Sequence, residues 1–130
     1  MDECILDTNI FVRFLVKDVA SQFEKAQKIF EKIEKGKIKG LVSILVMDEL
    51  IWILENYYDL KREVYLPQIL TLLALNNLRI METKKELVVK ALKIMAKQKI
   101  DFTDVYLCQI ASSRKIISFD KGLAKLSHHL

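Results

Sequence analysis

The sequence predicts an α/β fold with three layers, α/β/α, around a central parallel sheet of four to five strands. Short apolar runs alternate with longer segments of helical periodicity along the 130 residues, which is the pattern of successive βαβ units. The chain is 52% hydrophobic and 29% charged, with 3 Gly and 1 Pro. This size and composition predict one globular domain, 1–130, and exclude a collagenous or low-complexity chain.

The predicted elements follow one another with short connections. Predicted strands are 4–6, 41–42, 78–81 and 116–118, and predicted helices are 9–15, 21–35, 44–57, 61–74, 85–98, 101–114 and 122–126. The run Cys4–Leu6 is apolar throughout, so we expect burial on both faces. Ser21 and Glu24 have the spacing of a capping box. Pro67 predicts a kink in its helix, or a helix that starts later.

Cysteine content and hydropathy bear on the compartment. Cys4 and Cys108 are the 2 cysteines and cannot build a disulfide framework, which indicates a reduced, cytoplasmic protein. The longest apolar stretch, 41–54, is shorter than the ~20 residues that span a bilayer and contains two acids, so we expect no membrane span. The net charge of +4 permits a polyanionic partner without requiring one.

Four acidic residues occupy positions where parallel sheets carry functional groups. Asp7 ends the first predicted strand, Asp120 follows the last, and Glu49 lies in the helix after the second. Asp104 lies in the first turn of the helix that Asp101 precedes. Functional groups gather at the carboxyl ends of parallel strands. Carboxylates without a matching His or Cys cluster suit Mg²⁺ or Mn²⁺ rather than zinc.

The acids also have purely structural interpretations, which the spacing leaves open. Asp7 could cap a helix, and Asp101 could favour the positive end of a helix dipole. Asp120 could belong to an ordinary turn. Asp48, beside Glu49, could be either the exposed or the inward member of that pair.

The motifs around these acids resemble those of PIN-domain nucleases, in the order that the family shows. The matching segments are Leu6-Asp7-Thr8-Asn9, Val46-Met47-Asp48-Glu49-Leu50, Asp101-Phe102-Thr103-Asp104 and Ile117-Ser118-Phe119-Asp120-Lys121. The chain is similar in size to the VapC-like toxins of toxin–antitoxin pairs. It departs from the family after Asp104, where Tyr106 and Cys108 stand in a segment that usually carries small residues.

The resemblance implies a metal-dependent ribonuclease that uses Mg²⁺ or Mn²⁺ to activate water. By motif position it assigns metal binding and catalysis to Asp7, Glu49, Asp104 and Asp120, with Asp101 as a secondary candidate. It makes Thr8, Asn9 and Ser118 supports that orient the acids. One or two cations would neutralise the phosphate charge and lower the pKa of the attacking water.

Substrate binding requires positive charge from elsewhere in the chain. Candidates near the motifs are Arg13, Lys17, Lys115 and Lys121, which could neutralise RNA phosphates or be ordinary solvated side chains. Aromatic residues at 52, 57 and 58 could stack bases, or belong to the core or a dimer interface. The resemblance also implies a homodimer and a small antitoxin protein as partners.

Other functions remain as alternatives. A PIN-like module could bind RNA or protein without cutting, and an RNA-processing PIN nuclease would need no antitoxin. A phosphatase of the haloacid dehalogenase type requires Asp-x-Asp-x-Thr, whereas Asp7 is followed by Thr-Asn-Ile-Phe. A serine or cysteine hydrolase is disfavoured because His128 and His129, at the C-terminus, are the only histidines.

Overall fold

A computed structural model describes residues 1–126 and has an α/β fold with a parallel sheet. Its strands are β1 (Asp2–Ile5), β2 (Ile38–Val42) and β3 (Leu78–Ile80). Its helices are α1 (Thr8–Val16), α2 (Ala20–Glu34), α3 (Ile44–Trp52), α4 (Arg62–Leu73), α5 (Lys85–Lys97), α6 (Phe102–Ala111) and α7 (Lys121–Leu126). The chain forms two compact units, Met1–Lys85 and a second that begins at Glu86.

The sheet of the first unit has three strands in the order β1-β2-β3, all parallel. The register places Cys4 beside Gly40, and Gly40 beside Leu78. Beyond β1, Leu6 N–H donates to Leu41 O over 2.9 Å, which continues the pairing up to Asp7. The predicted four to five strands are therefore wrong for the residues described, while the three-layer arrangement stays a prediction.

One face of the sheet is buried and packs closely against α2. Val42 and Ile80 lie side by side on this face and are buried, as is Leu78. A Cβ at Gly40 would lie 2.7 Å from Ile33 Cδ1 of α2 and 2.8 Å from Leu78 Cδ1. A larger residue at position 40 would require the ends of these two flexible side chains to shift, so glycine allows the closest approach of α2 to β2.

The edge strand β1 is more exposed than its apolar sequence suggests. The side chain of Ile5 is 68% exposed, although Leu6, the next residue, is buried. The expectation that Cys4–Leu6 is buried on both faces is therefore wrong. An apolar run indicates a strand but does not say whether both of its faces are covered.

The helices of the first unit largely follow the predicted periodicity, with three differences. Helix α2 begins at Ala20 after the N-cap Val19, which has no side-chain cap bond, so the capping box at Ser21 is wrong. Pro67 lies inside α4, which starts at Arg62 rather than later. After α3, residues 53–57 form one turn of π-helix instead of continuing the α-helix.

The second unit contains the rest of α5, then α6 and α7. The predicted strand 116–118 is wrong, because these residues form no strand. Ile117 and Phe119 are fully exposed there, and extended chain is stable only when its backbone groups find partners.

Two sequence predictions concern the ends of the described chain and its hydropathy. His128 and His129 lie outside the described residues. Within residues 1–126, no helix is long and apolar enough to cross a membrane.

Candidate functional site

Two of the predicted acids line one cavity in the first unit, here called the first acidic cavity. It has a volume of about 380 Å³, and its walls include Asp7, Asn9, Arg13 and Glu49. Asp7 follows the first strand, and α3, which carries Glu49, follows the second. Because these strands are parallel neighbours, their carboxyl ends meet at one edge of the sheet and bring the two acids together.

Asp7 is the N-cap of α1. Its Oδ1 accepts a hydrogen bond from the backbone N–H of Thr8 over 2.8 Å. Thr8 is buried, whereas Asp7 and Asn9 are exposed. The structural interpretation of Asp7 as a cap is therefore confirmed.

The position of Glu49 depends on how α3 begins. Ser43 is the predicted N-cap, and its Oγ accepts a hydrogen bond from Leu45 N–H over 3.2 Å. Glu82, just after β3, completes the cap: its Oε2 accepts from Ser43 Oγ over 2.6 Å, and its Oε1 from Ile44 N–H over 2.7 Å. These two bonds, the Ser43 bond foremost, lower the pKa of Glu82. Glu82 thereby anchors the helix that carries Glu49.

Aromatic side chains form the other wall of this cavity. Trp52, Tyr57 and Tyr58 line it together with the two acids. The side chains of Trp52 and Tyr57 are largely exposed to solvent, unlike those of core residues. The interpretation of these rings as part of the core therefore does not hold for Trp52 and Tyr57.

The other predicted acids share a cavity of about 350 Å³ in the second unit, here called the second acidic cavity. Asp101, Asp104 and Asp120 all line it, with Lys99 and Gly122. Burial raises the pKa of Asp104, and the negative charges of Asp101 and Asp120 raise it further. Asp101 and Asp120 therefore repel the ionised Asp104 electrostatically, and a cation bound among the three carboxylates would reduce that repulsion.

Asp120 is held by its own loop rather than by a strand. Its backbone N–H donates to Ser118 Oγ over 2.9 Å. Its Oδ1 accepts from the N–H groups of Gly122 over 2.8 Å and Leu123 over 3.2 Å, at the start of α7. Ser118 thus contacts the backbone of Asp120 rather than its carboxylate, and its role in orienting that acid stays a prediction. The bonds to Gly122 and Leu123 fit the turn interpretation of Asp120.

The chemistry of both cavities fits a hard divalent cation, because their charged oxygen donors are carboxylates. Within residues 1–126, no group of three or more His, Cys, Asp or Glu side chains is close enough to hold a metal ion as they stand. The fit of these cavities to a divalent cation therefore rests on the chemical type of their donor atoms. The assignment of metal ligands stays a prediction.

The basic residues suggested for RNA binding have different surroundings. Arg13 Nη1 lies 3.1 Å from Asp18 Oδ1 and donates to the Tyr58 hydroxyl oxygen over 3.3 Å. Lys17 ends α1, with its ammonium 5.4 Å from the centre of the Phe23 ring. Lys17 lines a different cavity, of about 510 Å³.

Lys115 and Lys121 are exposed in the second unit. Lys115 precedes the segment that ends at Asp120, and Lys121 is the first residue of α7. Both lie near the second acidic cavity in sequence, and their role in phosphate binding stays a prediction.

Sequence reasoning missed two features that position the site. Glu82 caps α3 from 38 residues away along the chain, and no local pattern predicts such a contact. The π-helical turn at 53–57 was also missed, because its residues, Ile-Leu-Glu-Asn-Tyr, suit an α-helix equally well. The two successive tyrosines, Tyr57 and Tyr58, were the available signal in the sequence.

Comparison with known proteins supports the resemblance at the family level. The model of the PIN domain family matches residues 4–128. This match covers nearly the whole chain, so the protein belongs to the PIN domain family. Comparisons with curated proteins and with solved structures gave no match. Its nuclease-like α/β fold is therefore shown at the level of the family.

Proposed function

We propose that this protein is a metal-dependent endoribonuclease that hydrolyses RNA phosphodiesters, using Mg²⁺ or Mn²⁺. The observation that carries the proposal is the placement of the motif acids in two carboxylate-lined cavities. Asp7 and Glu49 share the first, and Asp104 and Asp120 share the second. Family membership supplies the reaction class, because PIN domains are generally nucleases.

Asp7 and Glu49 in the first cavity, and Asp104 and Asp120 in the second, would hold a cation, and Asp101 adds negative charge beside Asp104. When bound, the cation supplies charge neutralisation at the phosphate and lowers the pKa of the attacking water. Thr8 N–H fixes Asp7, and Ser118 fixes the loop of Asp120. Asn9, at the first cavity, would orient either the acid or the substrate.

We further propose that the protein is the toxin of a toxin–antitoxin pair, cytoplasmic, homodimeric and held inactive by a small antitoxin. Support comes from the resemblance in motif order and size. Exposed apolar residues on the first unit, such as Leu45 and Val64, are consistent with a protein partner. Lys115, Lys121 and the net charge of +4 are consistent with an RNA substrate.

The test is to incubate the purified protein with total cellular RNA and Mg²⁺ or Mn²⁺, and to map new 5′ ends by sequencing. A parallel sample contains EDTA. We expect cleavage only with metal, leaving 5′-phosphate and 3′-hydroxyl ends, because the resemblance implies that water attacks the phosphorus in line with the departing 3′-oxygen. Products ending in 2′,3′-cyclic phosphate would show a metal-free route through the 2′-hydroxyl and would contradict the proposal.

A further inference from the structure

The first acidic cavity has an aromatic wall, formed by Trp52, Tyr57 and Tyr58. Trp52 is 62% exposed and Tyr57 is 75% exposed. Large aromatic side chains normally bury most of their surface, because that burial dominates their contribution to stability. Here two of them face solvent beside two carboxylates, Asp7 and Glu49. Packing of the hydrophobic core therefore does not explain why these two aromatic rings lie here.

The π-helical turn is what brings these rings to one wall. In an α-helix, residues five apart lie about 140° apart around the axis, so Trp52 and Tyr57 would face different directions. In the π-helical turn the hydrogen bonds close over five residues, and Tyr58 N–H donates to Ile53 O over 3.1 Å. Because a π-helical turn contains more residues than an α-helical turn, residues five apart come to lie closer together around the axis. Both rings reach the cavity that Glu49, one helical turn earlier, also lines.

Contacts from α4 hold the π-helical turn in place. Within the turn, Glu55 Oε2 accepts from Arg62 Nε over 2.9 Å and from the Tyr65 hydroxyl over 2.6 Å. Tyr65 is buried, and this burial together with the Glu55 charge raises its pKa, so it remains a hydrogen-bond donor. The turn is thus fixed by a neutral donor and a cation on the neighbouring helix.

A second set of contacts holds the rings from the side of α1. The Tyr58 hydroxyl accepts from Arg13 Nη1 and donates to Asp18 Oδ2, both over 3.3 Å. Tyr57 packs edge-on against Tyr58, with ring centres 4.8 Å apart and planes at 76°. This contact supports the Tyr57 ring on one side, while most of its surface stays exposed to solvent. A preorganised, solvent-facing ring is suited to stacking.

We propose that Trp52 and Tyr57 stack an unpaired nucleobase of the RNA strand whose backbone lies at Asp7 and Glu49. This inference rests on the proposed function, because it places the base of the same substrate. A flat base fits ring faces in a cavity of about 380 Å³, and stacking tolerates any base. The nearby carboxylates favour RNA brought in with a cation over an apolar protein segment, which would have to desolvate both charges.

The single tryptophan of the chain, Trp52, is a built-in reporter of this contact. The experiment titrates the intrinsic fluorescence of the full chain with a single-stranded oligoribonucleotide and with an abasic strand of the same length. Ca²⁺ replaces Mg²⁺, and strand integrity is checked on a gel afterwards. We expect saturable quenching by the strand with bases and an affinity about tenfold lower for the abasic strand.

Variants separate stacking from a general effect on structure. Tyr57→Ala should weaken binding about tenfold, and Tyr57→Phe should retain it, because a phenyl ring stacks as well. Gln22→Ala is the control: Gln22 is exposed on α2, carries no charge and does not line the cavity. Its affinity should equal that of the wild type. Equal affinity for both strands, or no loss in Tyr57→Ala, would overturn the inference.

Other results distinguish this inference from the proposed function. Quenching that depends on bases, in a protein that cuts no RNA, would support stacking and contradict hydrolysis. Metal-dependent cleavage without base-dependent quenching would support hydrolysis and overturn stacking. Trp52 emission that changes on dilution without RNA would show an interface between protein copies, and would overturn stacking as well.

Discussion

The two acidic cavities carry the same kind of residue in different surroundings. In the first, Asp7 and Glu49 are exposed and face an aromatic wall. In the second, Asp104 is partly buried, and its pKa is raised by burial and by the charges of Asp101 and Asp120. The second cavity concentrates negative charge, whereas the first combines charge with flat apolar surface.

This difference teaches that equivalent motif acids need not contribute equally to stability. Asp7 stabilises its helix through the bond from Thr8 N–H. For Asp104, by contrast, burial and the charges of Asp101 and Asp120 disfavour the ionised form. An acid kept in an unfavourable electrostatic position is a candidate for function rather than for folding.

The largest expected effect is on cleavage, where the two cavities should behave alike. Asp7→Asn and Asp104→Asn each remove one negative charge from a proposed metal ligand. We expect each to lower the cleavage rate at least about 100-fold, since even second-shell changes at metal sites cost 10–100-fold. The measurement is the initial rate on one defined RNA at fixed Mg²⁺ concentration.

A matched control for these variants is Asp59→Asn. Asp59 is exposed, lines neither acidic cavity and has φ 53°, a conformation that asparagine also tolerates. Its rate should equal that of the wild type. Normal cleavage by either cavity variant would remove that acid from the proposed site.

Variants in the two cavities should differ in their effect on the free energy of unfolding. Asp7→Ala loses a helix cap and should lower the free energy of unfolding by about 1 kcal/mol. Asp104→Asn removes a charge that the folded state disfavours, so at neutral pH in EDTA it should not destabilise the protein. Denaturant unfolding of both variants, followed by circular dichroism, measures the contrast.

The pH dependence of this contrast has a definite sign. The folded pKa of Asp104 is raised, so its charge destabilises the fold above that pKa, and the penalty disappears as the pH falls below the unfolded value. Any excess of the free energy of unfolding of Asp104→Asn over that of the wild type should therefore become smaller as the pH falls. An advantage that grows towards acid pH would contradict the electrostatic account.

The smallest expected effect concerns Glu82, which supports the first cavity from outside. The pKa of Glu82 is lowered in the folded state, so its ionised side chain stabilises α3 at pH values above the ordinary pKa near 4.5. This contribution is lost as the pH falls through the folded pKa. Glu82→Gln should cost less than about 1 kcal/mol at neutral pH, because the site is exposed to solvent.

The control for Glu82 is Glu24→Gln, an exposed position in the middle of α2. It should leave unfolding unchanged at every pH. Thermal unfolding of both variants between pH 3 and 7 is the measurement. The Glu82 variant should approach the wild type at the acid end, and a constant difference across this range would exclude the carboxylate as its cause.

Most of the helices, and the grouping of Asp7 with Glu49, could be predicted from the sequence. Helical periodicity is local, and parallel strands carry the residues that follow them to one edge. The predicted strand 116–118 failed because strand formation depends on a partner that its own residues cannot specify. The capping box at Ser21 failed because Val19 already serves as the N-cap.

The sequence by itself determined the α/β class and the order of the motif acids, since both follow from the order of residues along the chain, whereas it left Asp7 open between a helix cap and a metal ligand. Only the tertiary structure decided the cap that Glu82 adds to α3 and the cavity that Trp52 shares with Asp7. It also decided the raised pKa of Asp104. These features arise from distances between residues far apart in the chain, which composition and periodicity do not encode.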